Sequence, residues 1–413
     1  MIDSKSIIER KKISLSENEQ IEILLDIICQ RLQIGKTKEE KLQAAYRNIT
    51  SCIEKDDFFD LHDAVMYAFG SRAINTVVKP KGRDEYDLDF TVQIILSNLN
   101  ISPKELVDKL FSCLVKNGNF EGKIKLIRYG VRVIYSGDFH VDIMIGVSSI
   151  HNRLLVPDWK ENKWVNRNPK GYIKWFENRY ISDFANIQLF NYYKENFPKM
   201  FDKTIEIESR TETEEITPAV TYPEIQPIQR ITQLFKRHRD IFFLKNMPDY
   251  KCSSIILTTL IGDSYLGENS IYSGMTNVIQ RNMDLIGNHN DFPFKLINPA
   301  DRGLSIELQE NLTDKWEKDL KYYRAFRQYI RKIAYDWNKL NSLNSIRAKA
   351  DFLQSIFGEN IVKAAYEALN ENLRNLGQPH DNLPLPFLIS PIVKNEQVAL
   401  AESSRGRKPY YAK

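Results

Sequence analysis

One strand constrains this chain more than any other stretch of it. The run Tyr86-Asp-Leu-Asp-Phe-Thr-Val-Gln-Ile-Ile95 alternates with period two, so Asp87 and Asp89 project from one side while Leu88 and Phe90 project from the other. Two carboxylates held side by side repel and raise each other's pKa unless a cation lies between them. On an otherwise apolar strand such a pair is an expensive arrangement that metal binding would offset. The strand therefore belongs to a sheet with one face in a core and its acidic face at an opening.

The neighbouring sequence supplies that sheet. Gly130-Val-Arg-Val-Ile-Tyr135 and Phe139-His-Val-Asp-Ile-Met-Ile145 are strand-like, and Pro103 to about Lys116 reads as a helix with Leu106, Leu110 and Leu114 on one face. Strands flanked by helices predict a mixed sheet and an α+β lobe. The first 55 residues read as two helices, each announced by an S/T-x-x-E capping pattern, Ser16 with Glu19 and Thr37 with Glu40. Ile21, Leu24, Leu25, Ile28 and Leu32, then Leu42, Ala45, Tyr46 and Ile49, follow at helical spacing.

Residues 202–227 shift to Asp, Glu, Thr and Pro and read as a linker or edge excursion. Beyond them the pattern is helical over Ile228–Leu244, Ser253–Tyr265, Asn311–Asn338, Ser345–Phe357 and Asn360–Leu376. The expected division is N-terminal helices packing on the core (1–55), a catalytic lobe (56–215), a helical lobe (216–400) and a flexible basic tail (401–413).

With 413 residues and a net charge of only +4, the chain lacks the strongly basic domain that duplex binding demands. No apolar run approaches the ~18 residues of a membrane span, and the N-terminus has no signal-peptide core. A membrane or secreted protein is not expected; a cytoplasmic one is. Cys29, Cys52, Cys113 and Cys252 are far apart and form no zinc pattern, so reduced core thiols are expected. Gly35-Lys36-Thr37 has the ending of a P-loop, but Gln30 stands where its first glycine belongs and no strand leads in, which excludes it.

Chemistry concentrates in three segments. On a later strand Asp142 faces opposite to Val141 and Ile143 and is placed to supply a third carboxylate. Oxygen-only ligands with room for phosphate favour Mg²⁺, and three carboxylates would hold two divalent ions ~3.5–4 Å apart, the spacing of in-line phosphoryl displacement. Gly70-Ser71, about 16 residues before Asp87, lets the backbone turn tightly and bring N–H groups and a hydroxyl to a triphosphate.

Gly-Ser…Asp-x-Asp…Asp resembles the DNA polymerase β-like nucleotidyltransferase superfamily. Gly70-Ser-Arg-Ala-Ile-Asn-Thr-Val-Val-Lys-Pro80 and Glu85-Tyr-Asp-Leu-Asp-Phe90 resemble bacterial cGAS/DncV-like nucleotidyltransferases (CD-NTases), the cyclic-oligonucleotide synthases of CBASS anti-phage defence. Gln229-Arg-Ile-Thr-Gln-Leu-Phe-Lys-Arg-His-Arg-Asp240, Ser253-Ser-Ile-Ile-Leu-Thr-Thr-Leu260 and Ile297-Asn-Pro-Ala with Glu310-Asn-Leu are similar to the helical half of that family, so the resemblance covers roughly residues 60–330. It implies a polymerase β-like lobe and a helical, oligoadenylate-synthase-like lobe with the active site in the cleft between.

Carried onto this chain, the resemblance implies Asp87, Asp89 and Asp142 as catalytic metal ligands, Gly70 and Ser71 as the triphosphate cradle, and Lys236 and Ser254 as phosphate contacts from the second lobe. Two Mg²⁺, with Mn²⁺ as the alternative, would serve NTP substrates in making a cyclic di- or trinucleotide for a separate effector, with accessory CBASS proteins as further partners. A monomer is expected. The zinc-ribbon insertion of the animal enzyme has no counterpart, which argues against a duplex activator. Competing readings are transfer to a protein, tRNA or small molecule, and a catalytically inactive nucleotide-binding signalling module; the three carboxylates argue against the last.

Several residues carry a plainer expectation. Lys236 lies opposite the stripe Ile231, Leu234, Phe235 and Phe242, on a face that is normally solvated, and Ser253 competes with Ser254. Ala68-Phe69 stands where many relatives have Pro-Gln. Asp138 is the fallback third ligand by parity; His140 is expected to pack at the sheet edge, with support of a metal ligand from behind as the alternative; and Lys79, Lys81 and Arg83 are expected to face solvent, with phosphate contact as the alternative.

Overall fold

Two N-terminal helices, which the sequence presents as one unit, part company in space. In the computed structural model, which describes residues 17–81, 86–95, 100–116, 120–135, 139–179, 225–289 and 292–375, α1 (Glu17–Arg31) is buried on every side from Ile21 to Cys29. A helix without a polar face belongs inside a core, and α1 lies among the helices of the C-terminal half. By contrast α2 (Lys36–Glu54) buries one stripe, Leu42, Ala45, Tyr46, Ile49 and Ile53, against the sheet. The Thr37–Glu40 capping pattern is not used. The helix starts at Lys36 with Gly35 as an N-cap that makes no side-chain bond, which leaves Thr37 inside the first turn. Ser16, Arg83, Asp138, residues 202–224 and the 401–413 tail lie outside the described residues.

The sheet lobe continues through α3 (Asp57–Leu61), β1 (Val65–Phe69), the four-residue α4 (Gly70–Ala73), β2 (Tyr86–Ile94), α5 (Pro103–Lys116), β3 (Ile124–Ile127), β4 (Gly130–Tyr135), β5 (Phe139–Ser149), β6 (Arg153–Asp158) and β7 (Lys163–Arg167). Strand order is β1-β2-β5-β4-β3, with β6 joining β5 to β7. The pairing of β2 with β5 is parallel and the others are antiparallel. Alternation decides which face is dry. Leu88, Phe90, Val131, Val133, Val141 and Ile143 pack under α2 and α5, and the intervening residues of the same strands point the other way. Short β1, β3, β6 and β7 carry no clear alternation and are not evident in the sequence.

The helical lobe comprises α6 (Pro169–Glu177), α7 (Pro227–Lys245), α8 (Ser254–Ser264), α9 (Ile271–Asn288), α10 (Asp314–Lys318), α11 (Leu320–Asn341), α12 (Ile346–Phe357) and α13 (Glu359–Asn375). A single helix was expected over Asn311–Asn338. It breaks at Asp319, which is extended (φ −146°, ψ 109°) and caps the next helix by accepting from the Lys321 N–H at 2.9 Å. The sequence reading leaves α9 out.

The lobes meet along one face of α7. Gln229 Nε2 donates to the Ile74 carbonyl (2.9 Å), Gln233 Nε2 to Val77 (3.2 Å), Lys236 Nζ to Thr76 (3.0 Å) and Arg237 Nη1 to Lys79 (3.2 Å). Positions i, i+4, i+7 and i+8 share a helix face, so one helix takes up the backbone that follows the Gly-Ser turn.

Candidate active site

The sheet's register assembles the acids. Asp89 lies directly opposite Asp142 across the parallel β2/β5 pair, and Asp87 lies opposite His140. On the other flank of β5, Arg132 of β4 is opposite Asp142. All five side chains share the face turned away from the α2/α5 core. At the end of β1, Phe69 pairs with Asp89, and Gly70 follows with φ +61°. A Cβ on Gly70 would lie 2.5 Å from Asp89 Oδ2. The Gly-Ser turn thus rests its backbone on a carboxylate, and glycine is required both by its left-handed conformation and by the lack of space.

Each carboxyl has a different electrostatic setting. Burial, together with the charges of Asp142 and Asp87, pushes Asp89 up to about 7. Burial also pushes Asp87 upward, but the His140 hydrogen bond and charge, with Arg132 and Lys251, outweigh it and hold that carboxyl below its usual range. Asp142 accepts a bidentate pair of bonds from Arg132, Nε to Oδ1 at 2.6 Å and Nη2 to Oδ2 at 2.7 Å.

From the helical lobe, Lys236 is buried and its ammonium donates to the Thr76 carbonyl (3.0 Å) and hydroxyl (2.8 Å). The solvated-face expectation fails here because residues 74–79 cover that side of α7. Burial, then the neighbouring Arg239, pull Lys236 down to about 7, while Asp240 and Asp89 pull it back. Ser254 opens α8, and its hydroxyl accepts from Arg239 Nη1 at 2.8 Å; Ser253 is the N-cap and makes no side-chain cap bond. Lys79 and Lys81 are partly buried rather than fully solvated.

The structure therefore brings Gly70, Asp87, Asp89, Asp142 and Lys236 to one place. Ser71 is half-buried on the turn beside them, and Ser254 is tied to Arg239. One residue takes its lesser alternative and another escapes the sequence altogether. His140 bonds Asp87 instead of merely packing. Arg132 is marked by the same alternation that singles out Asp142, since Val131 and Val133 flank it, but a lone basic residue on a strand draws no attention.

Among the described residues no three His, Cys, Asp or Glu side chains form a ready-made cation cage. The donor set nevertheless fits a hard divalent cation. Its donors are all carboxylate oxygens, and the repulsion from Asp142 and Asp87 that adds to burial in raising Asp89 is what a cation would relieve.

Residues 22–179 match the family model described as the Second Messenger Oligonucleotide or Dinucleotide Synthetase domain. A c-di-GMP synthase from Roseivirga ehrenbergii is 29% identical over 368 residues, spanning 87% of this chain and 90% of its own. The solved CD-NTase CdnG of Bradyrhizobium diazoefficiens, in complex with GTP, superposes with a TM-score of 0.63 at 20% identity, covering 85% of this chain and 99% of that one. Over residues 22–179 the chain is similar to the second-messenger synthetases, and it shares the fold of solved cGAS/DncV-like nucleotidyltransferases. Its fold is shared too with CdnC of E. coli MS115-1 bound to ATP (TM-score 0.53, 13% identity, covering 83% of this chain and 98% of that one). The matched domain runs from α1 through α6, and the likeness of fold extends over the C-terminal helices beyond it.

Proposed function

We propose that this nucleotidyltransferase joins nucleoside triphosphates into a cyclic oligonucleotide second messenger for bacterial anti-phage defence, with GTP as its first substrate. The arrangement that carries this reading is Asp89 set across from Asp142 with the Gly70 backbone against its carboxylate. GTP is favoured because the 29% identical relative is a c-di-GMP synthase.

The turn at Gly70-Ser71 offers backbone N–H groups and a hydroxyl to the triphosphate of one nucleotide, and Lys236 stands close enough to Asp89 for each to shift the other. A ribose hydroxyl of the second nucleotide forms a bond to the α-phosphorus as the bond to the β-phosphate breaks; its proton and pyrophosphate leave. A second, intramolecular transfer closes the ring. Asp87, Asp89 and Asp142 would hold two Mg²⁺, or Mn²⁺, which when bound promote ionisation of the attacking hydroxyl and neutralise the leaving group. Holding both nucleotides in one complex supplies much of the rate. The product acts on a separate effector, alongside accessory defence proteins, and the enzyme works as a monomer in the cytoplasm.

Incubation of the purified protein with NTPs and Mg²⁺, and no other acceptor, is expected to release pyrophosphate and yield a phosphatase-resistant product, identified by mass spectrometry as a guanosine-containing ring. The Asp87→Asn/Asp89→Asn variant is expected to lose about 10²–10³-fold or more of the turnover. Pyrophosphate release that appears only with an added protein, tRNA or small-molecule acceptor would replace cyclisation with transfer.

A further inference from the structure

We propose that Arg132 is a built-in counter-ion: it occupies Asp142 in the metal-free enzyme and has to release that carboxylate before a divalent cation is bound there. The proposal rests on the assignment of Asp142 to the cation site made above.

Register forces the pair together. Arg132 and Asp142 are direct partners across antiparallel β4 and β5 and project from the same face. The guanidinium meets the carboxylate fork to fork, at 2.6 Å and 2.7 Å, so both oxygens are engaged. Asp142 is 22% exposed and Arg132 36%, so the pair stands at an accessible rim rather than sealed in the core. Arg132 also acts electrostatically on Asp87 and Asp89, so one fixed positive charge offsets the whole acidic cluster.

A rival role is orientation, since carboxylates that bind metals are commonly held by hydrogen bonds from neighbouring groups. The geometry favours the counter-ion. The fork occupies a lone pair on each oxygen at once, and a dication beside Arg132 meets like charge. The two roles predict opposite signs. Removing a counter-ion tightens cation binding; removing an orienting donor loosens it.

Mn²⁺ binding to the full-length protein without nucleotide, followed by the paramagnetic resonance of free Mn²⁺, separates them. Arg132→Gln is expected to bind Mn²⁺ about tenfold more tightly than wild type. Arg132→Lys, which keeps the charge and loses the fork, is expected to fall between, and it carries the test if the glutamine variant does not fold by circular dichroism. In an Asp142→Asn background the Arg132 substitutions are expected to change Mn²⁺ affinity by no more than about twofold, because only the longer-range effect on Asp87 and Asp89 is left. Unchanged or weaker binding in Arg132→Gln, with wild type binding normally, overturns the counter-ion alone. No Mn²⁺ binding by any variant, even with a non-hydrolysable GTP analogue present, overturns the cation site itself and the counter-ion with it.

Discussion

At Gly70 two independent demands fall on one residue. Its φ of +61° penalises any side chain by ~1–2 kcal/mol, and a Cβ there would lie 2.5 Å from Asp89 Oδ2. Something has to move, and the carboxylate is the softer partner. Gly70→Ala is therefore expected to displace Asp89 and lower kcat about 100-fold, the scale of a misplacement near 1 Å, while thermal unfolding shifts by only a few degrees. Steady-state kinetics and calorimetry on the same preparation check both halves. Lys236 shows the complementary case. Its amine is held by Thr76, and burial followed by the charge of Arg239 pulls its pKa down to about 7.

Among the elements, α2 has a task that its helical pattern does not disclose. Glu39, 1% exposed, takes both ends of the Arg72 guanidinium, one at 2.8 Å, and Arg72 is the residue after Ser71. A helix on the core face of the sheet thereby fixes the turn that would cradle phosphates. Breaking a buried pair from one side costs ~3–5 kcal/mol, whereas replacing both partners with apolar groups is often neutral. Glu39→Ala is expected to destabilise by that amount. The double variant Glu39→Leu/Arg72→Met is expected to recover most of the stability but not the KM for GTP, because the turn has lost its anchor. Recovery of both in denaturant melts and initial-rate kinetics would reduce the pair to a structural contact.

For the molecule as a whole, stability in acid is expected to depend on a buried histidine. His238 of α7 pairs with Asp336 of α11 at 3.0 Å, and Lys332 reaches the other oxygen of that carboxylate at 2.5 Å. Burial lowers the His238 pKa from 6.5 against the pull of Asp336. A depressed folded value means that the unfolded chain binds the proton more readily, so stability is full above the ordinary value and falls as pH drops through the folded one. Asp336 is also held below 3.8, with burial opposed by His238 and Lys332, so its own loss comes at lower pH. Calorimetry between pH 7.5 and 5 is expected to show a falling Tm for wild type and a shallower fall for His238→Gln. Parallel slopes would place the acid sensitivity elsewhere. The same helix joins the lobes through its bonds to the carbonyls of Ile74, Thr76, Val77 and Lys79.

Local chemistry on β2 and β5 was legible in the chain because strand alternation is a short-range rule: a reader who knows the period knows that Asp87 and Asp89 share a face and that Asp142 opposes Val141 and Ile143. The helix from Pro103 to Lys116 was legible for the same reason, with its opening proline and its stripe written in adjacent residues. Tertiary structure alone decided that Asp89 meets Asp142, that Arg132 holds Asp142, that Glu39 holds the Gly-Ser turn and that α1 belongs with the C-terminal helices. Those partners lie from 10 to more than 200 residues apart. Periodicity fixes which way a side chain points relative to its own backbone, and carries nothing about which distant backbone will come to face it.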